Sequence, residues 1–347
     1  MSEQTINVLM TGAGAPGAAG ILKCLQFNPS FEIVMADANP NAVGRWLHAE
    51  FETIPFAHEK NFIEKLLSVC QRRNVHVVLP LVTKELIPLA QHKKHFDELG
   101  TRVLVSDVDS LEIANNKSRL YQFLEWRGVD LPGYRVVETM GQFETAVKEL
   151  GFPGERVAFK PSISNGGRGF RILANDIDEH NLLFYEKPNS TYISLADALR
   201  ILSVRPFPQL LVTEYLPGEE YSVDCVVDHG QPRLVVPRLR GKMINGISVE
   251  GTFIRDETII SYCSQIIKEL PLHGNIGIQV KKSIQGKPLI VEINPRVQGT
   301  IVAGLGAGVN LPVLAIKQEL GLTISDDELH VKWGTKFSRY WNEVFYT

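Results

Sequence analysis

Apolar positions in the first hundred residues alternate between short runs and helical spacing. Ile6–Met10 is a short apolar run that predicts a strand, and Gly12, Gly14 and Gly17 turn the chain from it into a helix around Ile21–Phe27. Glu32–Ala36 predicts a second strand, ending at Asp37. From Asn61 to Arg73, Phe62, Leu66, Leu67 and Cys70 recur at the spacing of one helix face. Val75–Leu79 and Val103–Val105 read as further strands. Strands alternating with helices predict an α/β domain on a parallel, doubly wound sheet. Gly12-Ala-Gly14-Ala-Pro-Gly17, with Asp37 twenty residues later, also has the spacing of a dinucleotide-binding turn. The same glycines serve a tight turn and close helix packing equally well, so the pattern alone leaves NAD binding open.

The middle of the chain has a different rhythm. Lys117–Arg127 predicts a helix, followed by a loop that ends at Pro132. Thr139–Leu150 predicts another, with Phe143, Val147 and Leu150 on one side. The strand at Val157 ends in Lys160 and runs into a loop with Gly166, Gly167 and Gly169, before Phe170 resumes an apolar pattern. Such a loop can turn consecutive backbone N–H groups toward phosphate oxygens, and Lys160 adds a point charge beside it. It is not a Walker A loop, because no Gly-Lys-Ser/Thr follows. A plain hairpin loop is the competing reading. Leu210–Glu214 predicts an apolar strand, and the bend at Tyr215, Leu216 and Pro217 offers backbone groups that can pair with a purine edge. Glu220 can accept from ribose hydroxyls, although Glu214 and Glu220 also read as solvated strand-end acids.

The segment Ile276–Arg296 carries the clearest chemistry. With Gln285-Gly286 as a two-residue turn, Ile284 faces Lys287. Counting outward sets Gln279 opposite Glu292, with Asn294 on the same face, while Ile278, Val280, Leu289, Val291 and Ile293 form an apolar face. One carboxylate and two amides, with paired Cβ atoms about 5 Å apart, can hold Mg²⁺ or Mn²⁺ when a substrate supplies phosphate oxygens. Arg296 follows where it can meet a transferring phosphoryl group. A half-exposed hairpin with a polar outer face is the alternative.

Composition narrows the setting. The 347 residues carry a net charge of −3, so no basic footprint for nucleic acid exists. The four cysteines are far apart with no C-x-x-C pair, so neither a zinc site nor a disulfide framework is expected, and a reducing, cytoplasmic setting is. The N-terminal MSEQTINVLM lacks a basic n-region and does not read as a signal peptide. Gly299–Ile316 is uncharged, but its glycines, Asn310 and Pro312 predict a buried loop and helix start rather than a membrane span.

Taken in order, Lys117, FKPSISNGGRG, VTEYLPGEEYSVD, GIQV and VEINPR resemble the ATP-grasp superfamily, in particular the ATP-binding halves of carbamoyl phosphate synthase large chains and their single-unit relatives. GAGAPGAAG, Asp37–Pro40 and LPLVTKEL resemble the preATP-grasp domain of those relatives. The resemblance implies a Rossmann-like preATP-grasp domain over 1–113, then an α+β ATP-grasp domain over 114–347 with a small β-lid at about 134–212. It implies that the N-terminal domain shapes the substrate side without binding NAD. It places Lys117 and Lys160 on ATP phosphates and Gly166, Gly167 and Gly169 in a mobile lid loop. Glu214, Tyr215 and Leu216 border the adenine, and Glu220 lies on the ribose. Gln279, Glu292 and Asn294 hold one or two Mg²⁺ ions, and Arg296 stabilises the phosphoryl group.

The departures from that pattern bear on the substrate. Where carbamoyl phosphate synthase has a histidine for bicarbonate, the stretch Asn245-Gly246-Ile247-Ser248 has Ser248, and the biotin carboxylase glutamate base is replaced by Thr300. Only one ATP-grasp unit is present. The expectation is therefore a carboxylate–amine ligase acting through an acyl phosphate, with small-molecule substrates, no nucleic-acid or membrane partner, and room for a homodimer. Arg238, Arg240 and Lys242, in the run PRLRGK, are candidates to anchor the acid. Carbamoyl phosphate chemistry, an NAD-dependent oxidoreductase and a non-catalytic nucleotide-binding module are the alternatives.

Overall fold

The structure is a computed structural model and describes residues 5–164, 166–185, 191–244 and 246–346. The chain folds as two compact units. One comprises Met1–Ala114, Glu220–Val280 and Val291–Thr347; the other comprises Asn115–Glu219 and Lys281–Ile290.

In the first unit, five parallel strands lie in the order Phe51–Thr53, Phe31–Asp37, Ile6–Thr11, Val77–Leu79 and Arg102–Val103. This is the doubly wound sheet that the apolar runs predict. Strand order reverses at Ile6–Thr11, which opens a crevice at the carboxyl ends of the central strands. Helix Phe62–Arg72 buries Phe62, Leu66, Val69 and Cys70, as its periodicity requires. A second sheet runs antiparallel through Glu220–Asp228, Gln231–Arg240, Glu250–Phe253 and Lys336–Ser338, with Gly274–Lys282 and Pro288–Asn294 on the far side of Glu220–Asp228. Residues 1–113 share a core with these later segments: Met10, Leu22 and Met35 pack in one apolar cluster with Val226, Val236, Leu314 and Ile316.

The uncharged stretch after Arg296 forms a short 3₁₀ helix, Ile301–Leu305, and then the buried helix Leu311–Glu319. Asn310 caps that helix by accepting from the Val313 N–H, and Pro312 sits in the first turn, where its missing N–H leaves no bond unmade. No helix among the described residues is long and apolar enough to cross a membrane.

In the second unit, five strands lie in the order Tyr134–Val137, Leu210–Glu214, Val157–Pro161, Arg171–Leu173 and Tyr192–Ile193, antiparallel except for the last pair. Helix Met140–Glu149, capped by Thr139, lays Phe143, Ala146 and Val147 against Val157, Phe159 and Val212. The rings of Phe143 and Phe159 meet edge to face at 5.2 Å.

The N-terminal glycine pattern is a packing device. A Cβ on Gly17 would stand 2.4 Å from the Gly299 Cα, and one on Gly20 would stand 2.8 Å from Val302 Cγ1. Gly17 has an ordinary φ of −95°, so contact alone demands glycine. The obstruction at Gly17 is backbone, which cannot swing aside. Gly17→Ala is expected to destabilise by about 3 kcal/mol, at the upper end of overpacking costs, read as a lowered urea midpoint with unchanged slope. A wild-type midpoint would show that the Gly299 segment gives way freely.

Candidate functional site

The hairpin of the metal candidates closes through Ser283 N–H to the Lys287 carbonyl (2.9 Å) and Gly286 N–H to the Ser283 carbonyl (2.9 Å). Its turn is therefore three residues, Ile284, Gln285 and Gly286, with Gly286 left-handed at φ 79°, and not the two-residue Gln285-Gly286 turn expected. An αL glycine before the returning strand is the G1-bulge arrangement, in which Gly286 and Lys287 together oppose Ser283. The count that set Gln279 opposite Glu292 started from the shorter turn and does not carry over. Independent contacts place Glu292 with Asn294 and set Gln279 apart from them, beside Gln298. Asn294 Nδ2 donates to Glu292 Oε1 at 3.3 Å, so these two side chains share a face. Gln279 is on the face of Gly277, where a Cβ would meet the Gln298 side chain at 2.0 Å. All three candidates are half-buried.

Arg296 is fixed from two sides: its Nε donates to Thr83 Oγ1 (2.9 Å) and its NH1 to the Val297 carbonyl (2.9 Å). Burial pulls its guanidinium below the usual arginine range, and the charge of Glu292 opposes that shift. Glu292, Asn294 and Arg296 thus form one electrostatically coupled group. Sequence reasoning did not single out Thr83 or Gln298. Gln298 is buried with its Nε2 lacking a partner among the described atoms, and its side chain stands over Gly277.

The candidates placed on the ribose and the acid substrate meet one another. The Arg240 NH1 bonds the Glu220 carboxylate, its Nε donates to Ser248 Oγ (3.1 Å) and its NH2 to the Gly246 carbonyl. Glu220 can serve a ribose only by sharing its carboxylate with Arg240. Arg238 lies differently: it is fully buried, donates to Asp224 Oδ2 (3.0 Å) and donates to Thr300 Oγ1 (2.7 Å). It is a support inside the sheet rather than a surface cation. Asn245, at the start of the stretch ending in Ser248, lies outside the described residues.

In the second unit, Lys117 opens helix Lys117–Trp126, which Asn116 caps through the N–H groups of Ser118 and Arg119. The Lys117 Nζ donates to the Ser164 carbonyl at 2.7 Å, so it sits at the base of the glycine loop. Lys160 is buried, with Nζ 5.7 Å from the centre of the Tyr121 ring. Gly166, Gly167 and Gly169 are all left-handed, at φ 64°, 70° and 79°, which is the backbone such a loop needs and only glycine adopts readily. Asn165 lies outside the described residues. A cavity of about 740 Å³ borders Glu214, Tyr215, Leu216, Phe152, Arg156 and Ile284. The Lys281 ammonium lies 4.8 Å from the centre of the Tyr215 ring. Lys117, Lys160 and the three glycines do not line this cavity. It adjoins the expected adenine edge without reaching the phosphate candidates.

At the crevice of the parallel sheet, the Gly14 N–H donates to Asp37 Oδ2 at 2.7 Å. The acid that a dinucleotide turn would aim at a ribose is here spent on the loop itself. Thr11 Oγ1 donates to Glu85 Oε2 at 2.5 Å, and Glu85 is buried. Burial, and then the negative charge of Asp37, push the Glu85 carboxyl up to about 7, against the Thr11 hydrogen bond.

Family comparisons agree with this architecture. Residues 206–343 match the family described as ATP-grasp in the biosynthetic pathway with Ter operon, and residues 8–104 match the PylC-like N-terminal domain. The carbamoyl phosphate synthase arginine-specific large chain of Halalkalibacterium halodurans is 25% identical over 291 residues, covering 78% of this chain and 24% of its own. This chain thus spans about a quarter of that relative's length. An N5-carboxyaminoimidazole synthetase from Staphylococcus aureus, solved with ADP, has a TM-score of 0.68 at 13% identity, over 94% of this chain and 80% of its own. An L-amino acid ligase from Bacillus licheniformis has a TM-score of 0.63 at 13% identity, over 95% of this chain and 78% of its own. The parallel sheet, the antiparallel sheets and these likenesses define the ATP-grasp fold. The chain thus has the ATP-grasp fold, matches an ATP-grasp family model over residues 206–343 and the PylC-like N-terminal domain over residues 8–104, and is similar to carbamoyl phosphate synthase large chains.

Proposed function

We propose that this protein is an ATP- and Mg²⁺-dependent carboxylate–amine ligase that releases ADP and works through an acyl phosphate. The observation that carries the reading is the coupled group Glu292, Asn294 and Arg296, held by Thr83. A carboxylate and carboxamide oxygens are the donor set a hard cation takes, and they fit Mg²⁺ better than a soft metal. Glu292, Asn294 and Gln279 would hold it. Bound there, the ion would neutralise charge on the nucleotide phosphates.

The chain's own residues then have assignable tasks. The loop with left-handed Gly166, Gly167 and Gly169 presents N–H groups to phosphate oxygens, with Lys117 at its base and Lys160 as a second cation. Tyr215 and Leu216 border the adenine. A substrate carboxylate attacks the γ-phosphorus, forming a C–O–P bond as the bond to ADP breaks, and Arg296 meets the charge of the transferring group. The amine nitrogen then attacks the acyl carbon, phosphate leaves, and the amine's proton passes to solvent or a carboxylate. Closure of the glycine loop protects the acyl phosphate from water.

The L-amino acid ligase likeness supports an organic acid as first substrate. The curated relatives support a second reading, phosphorylation of bicarbonate or carbamate. Against it stand Ser248 and Thr300, hydroxyls with no useful basicity near pH 7, each already engaged by an arginine. The test is to incubate protein, Mg²⁺ and ATP with hydroxylamine and a panel of organic acids. Hydroxamate from an amino or other organic acid is the expected result. ADP release dependent on bicarbonate alone would overturn it in favour of the second reading.

A further inference from the structure

At the far end of the Glu220–Asp228 strand from Glu220, about 26 Å away at strand spacing, three metal-ligating side chains converge. Asp228 ends that strand, His229 and Gly230 form the tight turn into Gln231–Arg240, and His273 immediately precedes Gly274–Lys282. Ligand atoms of Asp228, His229 and His273 all lie within 4.8 Å of one another. The segments are tied together independently: Gly230 N–H donates to the Leu272 carbonyl at 2.8 Å, and His273 N–H to Ser106 Oγ at 2.8 Å.

His273 is buried, and its Nε2 is 2.5 Å from Glu319 Oε2. A carboxylate there keeps the proton on Nε2 and leaves Nδ1 with an outward lone pair. That Nδ1 stands 3.8 Å from Asp228 Oδ1 and accepts a long hydrogen bond from the His229 N–H at 3.3 Å, so the carboxylate receives no proton from the ring. Among the described residues, Arg233 also approaches Asp228, at 3.9 Å. Two ligands each about 2.1 Å from a tetrahedral ion stand about 3.4 Å apart, close to the spacing found. Carboxylate, imidazole and metal in series is the arrangement that orients a metal-binding histidine. His229 has φ 43°, a conformation unfavourable for most residues, and its ring stacks on His273 at 4.1 Å.

We propose that Asp228, His229 and His273, oriented by Glu319, form a binding site for a divalent transition-metal ion of the zinc class, separate from the nucleotide site. Two imidazoles and one carboxylate suit Zn²⁺, Co²⁺ or Ni²⁺ and not Mg²⁺. The ion pins the turn at His229 to the start of Gly274–Lys282, and the exposed side of His229 leaves its fourth position to water.

The test uses the untagged full chain, stripped with chelator and titrated with Co²⁺ and Zn²⁺ in excess Mg²⁺. Wild type is expected to bind one equivalent, with Co²⁺ visible bands of a four-coordinate N/O site. His229→Asn keeps a residue tolerant of positive φ, so it should fold, and should lose the bands and the equivalent. Glu319→Gln should weaken binding by about 10- to 100-fold. No uptake by wild type overturns the proposal. So does equal uptake by His229→Asn, which would mean an adventitious surface ion.

Discussion

Glu292→Gln is expected to remove nearly all ADP production while leaving the protein folded. The substitution keeps the shape of the side chain and an oxygen to accept from Asn294 Nδ2, so that hydrogen bond can be retained. What it deletes is the one negative charge among Gln279, Glu292 and Asn294. Two effects then add. The metal candidate site becomes all-amide, which a hard cation binds weakly. Arg296 also loses the neighbour whose charge offsets its burial. Metal stabilisation of a phosphoryl transition state is worth several kcal/mol, so kcat/KM should fall on the order of a thousandfold, with the thermal melt within a degree or two of wild type. Raising Mg²⁺ should recover part of the loss, because affinity is part of what is lost. Wild-type turnover by Glu292→Gln at limiting Mg²⁺ would remove Glu292 from the site and, with it, the observation on which the ligase assignment rests.

How much of this was legible beforehand depended on the range over which the determining contacts act. Helices Phe62–Arg72 and Met140–Glu149 were readable because periodicity and a local cap suffice: Thr139 accepts from Gln142 N–H three residues on. The parallel sheet was readable because strand and helix alternate along the chain. The hairpin turn was misread by one residue, since Gln285-Gly286 fits a two-residue turn as well as the end of a three-residue one, and the Ser283–Lys287 hydrogen bond decides. The order of strands in the second unit, where Leu210–Glu214 inserts between Tyr134–Val137 and Val157–Pro161, depends on pairings 49 residues or more apart in sequence that no local pattern carries. The same is true of Asp228 and His229 with His273: the absence of cysteine pairs argued against zinc, and the histidines lie too far apart along the chain to form a motif. Glu85 was hidden in a different way. In LPLVTKEL it follows Lys84 directly with nothing local to mark it as buried, and only the fold shows it buried against Thr11.

That burial leads to the second large effect, on stability rather than turnover. Glu85 has a folded-state value of about 7 against 4.5 for the free side chain, raised chiefly by burial. Between those values the folded protein holds a proton that the unfolded chain has released. Its contribution to stability is therefore complete below about pH 4.5 and declines as pH rises through 7. At 1.36 kcal/mol for each pH unit of difference, wild type should lose about 2–3 kcal/mol from this group alone between pH 5 and pH 8. Glu85→Gln mimics the neutral carboxyl and does not titrate, so it should escape that loss. Its amide oxygen can still accept from the Thr11 hydroxyl, and any constant cost of fitting the amide NH₂ cancels when one protein is compared with itself at two pH values. The measurement is a pair of urea melts for each protein, at pH 5 and at pH 8, with the other titrating groups common to both. The stability of Glu85→Gln relative to wild type should rise by about 2–3 kcal/mol from the lower to the higher pH. A relative stability that stays flat across the two would mean that Glu85 is already ionised at pH 5 in the folded state, and that the Thr11 bond and local solvent outweigh its burial.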